Sequence, residues 1–72
     1  MTRHERLRQI CDEERPGTFT DDTPLIRVLE ATAILWFLSG TDVDDDSGTR
    51  EVADALEEFY DTGAIAETEH HG

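Results

Sequence analysis

The sequence predicts a small all-α unit of three helices, with the second helix as its apolar centre. Apolar residues recur at helical spacing in three separate segments. Turn-forming stretches, Arg15-Pro16-Gly17 and Ser39-Gly40, divide those segments from one another. The middle segment is apolar over so wide an arc that it must be covered on more than one side. Two short stretches, 18–20 and 64–66, are expected to be extended and to pair as a minor two-stranded hairpin. The 72 residues make one domain, 1–72, near the lower size limit for independent folding. Residues 67–72 read as a frayed, disordered tail.

The first helix is expected over Thr2 to Glu14. Leu7, Ile10 and Cys11 share one face at i, i+3, i+4 spacing, with His4 at its edge, and Arg15-Pro16-Gly17 ends it. Before the second helix, Thr23-Pro24 reads as an N-cap followed by a proline at the first helical position. The helix then runs to about Leu38, and Gly40 supplies a left-handed C-cap. At about 100° per residue, Leu25, Val28, Leu29, Leu35 and Trp36 fall on one broad side, extended by Ile26, Ala33 and Phe37. Arg27, Glu30 and Ile34 mark a thin outward stripe. The third helix, Thr49 to Thr62, is cleanly two-faced. Val52, Ala53, Ala55, Leu56, Phe59 and Tyr60 gather on one arc and Arg50, Glu51, Asp54, Glu57, Glu58 and Asp61 on the other. Gly63 closes it.

Charge sets the environment. The chain carries 18 acidic residues against 6 basic ones, a net charge of −12, and every basic residue is Arg. High-salt surfaces favour strongly hydrated carboxylates and shed the apolar stem of Lys. The composition resembles that of proteins from extremely halophilic archaea, a resemblance of habitat and not of family. At low salt such a charge opposes the compact state, and molar salt shortens the screening length to about 3 Å.

Location follows from what is missing. A lone cysteine, Cys11, fits a reducing cytoplasm better than a disulfide-stapled secreted domain. No apolar run follows the Arg-rich N-terminus, so no secretory signal is expected. The longest apolar-rich stretch, Leu25 to Leu38, has 14 residues and includes Arg27 and Glu30, too short and too charged to span a bilayer.

The candidate chemical motifs each fall short. Asp42, Asp44 and Asp46 stand at the first three ligand positions of a calcium loop, but Ser47 replaces the required glycine and Ala53 the bidentate glutamate. His70 and His71 are adjacent in the tail, far from His4 and Cys11, without the paired spacing of a zinc site. Cys11 lies on the apolar stripe among Asp12, Glu13 and Glu14, which suits an inert buried thiol rather than a nucleophile. Trp36-Phe37 and Phe59-Tyr60 sit on apolar arcs and read as core or interface, not as a base-stacking platform. No catalytic, cofactor-binding or metal-ligating residue is therefore assigned, and no enzymatic function is expected.

What remains is binding. The second helix presents more apolar surface than one chain of this size is expected to cover. The expectation is a cytoplasmic, non-enzymatic homodimer acting as a protein-interaction or adaptor module with an unidentified protein partner. Leu25, Val28, Leu29, Leu35, Trp36 and Phe37 would form the interface, with Trp36 as its anchor. The alternative is a helix-turn-helix DNA-binding regulator. Residues 1–15 hold four Arg against four acids, and the third helix has one Arg against five acids. Such a surface offers little to neutralise phosphate.

Overall fold

A computed structural model describes residues 2–43 and 48–66. Three helices follow in order, α1 (Arg3–Glu14), α2 (Leu25–Ser39) and α3 (Gly48–Thr62). The all-α architecture predicted from periodicity is the one observed. Among the described residues there is no strand, so the hairpin between 18–20 and 64–66 does not form. Both stretches instead dock on helices, through Phe19 and Ile65 on the core and through Arg3 and His4 on the 65–66 backbone.

The first helix is started by a capping box. Thr2 Oγ1 accepts from Glu5 N–H at 3.1 Å, and Glu5 Oε1 accepts from Thr2 N–H at 3.0 Å. Two of the N–H groups that a helix start leaves unpaired are thereby satisfied reciprocally. The bond from Thr2 N–H also pulls the Glu5 carboxyl below its ordinary pKa.

The start of α2 differs from the expectation. Pro24, not Thr23, occupies the N-cap position, and no side chain caps the helix. Pro24 keeps an extended ψ of 140°, which delays the helix until Leu25. The Thr23 hydroxyl is used elsewhere: it accepts from Thr20 N–H at 3.2 Å across a turn closed by Thr23 N–H to Thr20 O at 3.1 Å. The end of α2 is as expected. Gly40 is left-handed, with φ 77°, and Thr41 N–H returns to Trp36 O at 2.9 Å.

The core takes residues from all three helices. Leu7, Ile10 and Cys11 come from α1, Val28 and Leu29 from α2, and Val52 and Ala55 from α3. Phe19 from the α1–α2 connector and Ile65 beyond α3 close over it, together with Leu25, Trp36 and Leu56. Thr32 is the polar member of the α2 core face, and its hydroxyl donates to Val28 O at 2.9 Å. That bond removes the cost of burying the hydroxyl without a partner.

Pairings along the chain give the helix directions. Arg3 meets Glu58, Arg6 meets Glu51 and Ile10 meets Gly48, so α1 and α3 run antiparallel. Tyr60 bonds to Glu30 while Trp36 lies beside Thr49, so α2 and α3 are antiparallel too. The connector 15–24 therefore returns the chain to the level at which α1 began. Phe19 is laid inward on this return, with the Arg15 guanidinium 5.8 Å from its ring centroid. Arg8 donates to Thr23 O and ties the end of the connector to α1.

Candidate interaction surface

The six residues of the expected interface divide into two groups. Val28 and Leu29 are closed inside the chain, at 2% and 0% exposure, and present nothing to a partner. The sequence reading placed them at an interface because it undercounted the cover. Leu7, Ile10, Cys11 and Phe19 reach over α2 from one side, and Val52 and Ala55 from the other. Leu25 packs on the same core from its edge. Leu35 and Trp36 are half-buried, and Phe37 stands 82% exposed.

The surface that is left lies at the C-terminal end of α2. Nine consecutive residues, Ala31–Ser39, carry no charge, in a chain where 33% of residues are charged. Helical geometry turns Ile34, Phe37 and Leu38 to one side of this segment, and they are 58%, 82% and 77% exposed. Leu38 takes part here although its sequence position alone does not mark it as an interface residue, whereas Tyr60 belongs to the aromatic pair read as core or interface. The signal that identifies the surface in the sequence is the uncharged run, more than the width of the apolar arc.

Beside these side chains, α2 and α3 enclose a groove of about 490 Å³. Ala33, Trp36 and Phe37 line it from α2, and Val52, Ala53 and Leu56 from α3. The small residues Ala33 and Ala53 leave the space that larger residues would fill. Tyr60 shapes the far end. Its hydroxyl donates to Glu30 Oε2 at 2.9 Å, and its ring meets Phe59 edge-on with centroids 5.9 Å apart. The bond to Glu30 raises the Tyr60 pKa above its ordinary value. Val43 closes the other end, and Glu57 and Asp61 stand on the α3 rim.

Trp36 is a wall rather than a projecting anchor. One side borders the groove, and the other lines a smaller cavity together with Ile10, Gly48 and Thr49, where α1 and α3 converge. Phe37 is the side chain that projects.

The arginines are engaged within the chain. Arg3 meets Glu58 at 2.7 Å, and Arg6 holds both carboxylate oxygens of Glu51 at 3.0 Å. Arg8 bonds to Thr23 O and Arg15 covers Phe19. Arg27 and Arg50 pair with Glu30 and Asp54 on their own helices.

A second polar cluster fixes the segment after α3. Arg3 donates to Ala66 O at 2.9 Å, and His4 Nε2 lies 3.1 Å from Ile65 O. Glu58 accepts from Ala66 N–H at 2.5 Å and from Arg3, which together hold its carboxyl below the usual pKa. These bonds occupy the 64–66 backbone that the sequence reading assigned to a hairpin. His4, read as the edge of an apolar stripe, is one of the clamping groups.

Cys11 has the environment of an inert thiol. It is fully buried, and burial raises its pKa, with the Thr32 side chain offsetting part of the effect. No group of three or more metal-ligating side chains occurs among the described residues. Of the acidic loop, Asp44–Ser47 lie outside the described residues, as do His70 and His71. No helix among the described residues is long and apolar enough to cross a membrane. Comparison with protein-family models, with curated proteins and with solved structures finds no match to this chain.

Proposed function

We propose that the chain is a small non-enzymatic interaction module, homodimeric and adapted to high salt, that works through protein contacts. One observation carries this reading: an uncharged, outward-facing end of α2 beside an apolar groove, in a chain of net charge −12. Exposing Phe37 and Leu38 to water serves no purpose in the monomer's own core. Each would gain roughly 1.5–3 kcal/mol from full burial. Apolar patches of this kind mark binding surfaces.

The DNA-binding alternative is less well supported. A helix-turn-helix joins its helices by a turn of about 3–4 residues, whereas ten residues, 15–24, separate α1 from α2. The arginines that would neutralise phosphate are engaged with partners in the same chain. Affinity capture from native extract in molar KCl separates the two readings. The expected product is protein, in fixed ratio to the bait and unchanged by nuclease. Recovery of nucleic acid that displaces labelled DNA in the same salt would support the regulator instead.

A further inference from the structure

We infer that the α2–α3 groove is filled by Phe37 of a second copy of this chain, each copy inserting into the other about a twofold axis. This rests on the homodimeric reading above and specifies its contact.

Phe37 is the most exposed of the large apolar side chains, at 82%, and it stands on the rim of the groove. Projecting residue and cavity are thus side by side on one surface. An isologous twofold contact needs that arrangement, because one patch must be complementary to itself. A head-to-tail contact would need the cavity on a different face from the projecting ring. The cavity has room for the ring, at about 490 Å³, and its floor is made of Ala33, Ala53 and Leu56.

Area and charge both favour a second copy as the occupant. Ile34, Phe37, Leu38, Val43 and Tyr60 are each more than half exposed. Together they leave on the order of 600 Å² of side-chain surface in water. That is at the upper end for the largest patch of a typical monomer, about 300–600 Å². With the groove walls added, it approaches the roughly 800 Å² per partner of a standard interface. Two chains of net charge −12 repel over most of their surfaces, and Ala31–Ser39 is where they can meet with fewest charges between them. Glu57 and Asp61 on the rim are brought toward their counterparts by such a contact, so association should strengthen as salt screens them.

Sedimentation equilibrium in molar KCl tests this with two neutral substitutions that leave the net charge unchanged. Phe37→Gln removes the inserted ring, and Ala53→Gln fills the cavity from the opposite helix. Each is expected to raise the dimer dissociation constant by at least about tenfold, the value of burying one large apolar side chain. Circular dichroism is used to select whichever variant keeps its helix content. Emission from Trp36, the chain's one tryptophan and a groove wall, is expected to shift over the same concentration range as the mass. A wild-type dimer that both folded variants leave intact would overturn the groove contact while the homodimeric reading stands. A wild-type monomer at every concentration would overturn that reading, and this contact with it.

Discussion

Gly48 lets the start of α3 rest directly on α1. A methyl group at that position would lie 2.5 Å from Ile10 Cγ2, well inside contact distance, and Cγ2 sits on a branched carbon that cannot swing aside freely. Gly48→Ala is therefore expected to destabilise the fold by about 1–3 kcal/mol, the usual cost of overpacking. This would occur even though alanine is the better helix former. Denaturant unfolding in molar KCl measures it, and a gain in stability would show that α1 and α3 are not pressed together at this point. Nothing in the local sequence around Gly48 points to Ile10, which lies 38 positions earlier in the chain. Cys11 was legible, because its place on the stripe with Leu7 and Ile10 already implied burial.

At the scale of elements, the fold depends on how the ends of helices are tied. The segment 64–66 is held by Arg3, His4 and Glu58, bringing the end of the described chain against the beginning of α1. Glu58 contributes as a carboxylate, since its folded pKa lies below its unfolded one. Its stabilisation is present in full above the ordinary glutamate range and is lost as pH falls through the lowered folded value. Glu58→Gln should thus be less stable than the parent at neutral pH, with the two melting curves converging in acid at fixed salt. A difference that persists unchanged into acid would mean shape, not charge, accounts for the clamp. Periodicity revealed all three helices, because the apolar spacing that defines each is local. It was silent on the clamp, whose partners Arg3 and Ala66 lie 63 residues apart. It also misjudged the start of α2, where Pro24 with extended ψ delays the helix and Thr23 turns back toward Thr20.

For the whole molecule, two quantities oppose each other: a net charge of −12, and a core of modest size shared by three helices. Self-repulsion destabilises the compact state in dilute buffer, and screening over about 3 Å in molar salt relieves it. The thermal midpoint followed by circular dichroism is expected to rise steeply from millimolar to molar KCl. A flat response would remove salt adaptation as the reason for the composition. The core closes more completely within one chain than the apolar arc of α2 implied, because the return of the connector brings Phe19 over it. What stays uncovered is narrower and better defined: Ile34, Phe37 and Leu38 beside the groove. That remainder is the physical reason for expecting a second copy. Light scattering coupled to size-exclusion chromatography in molar KCl, over a range of micromolar loadings, tests it most directly. The expected mass is twice the chain's 8.1 kDa, falling toward a single chain as the salt is lowered. A mass of 8.1 kDa at every loading would contradict the dimer and leave the exposed end of α2 without its proposed occupant.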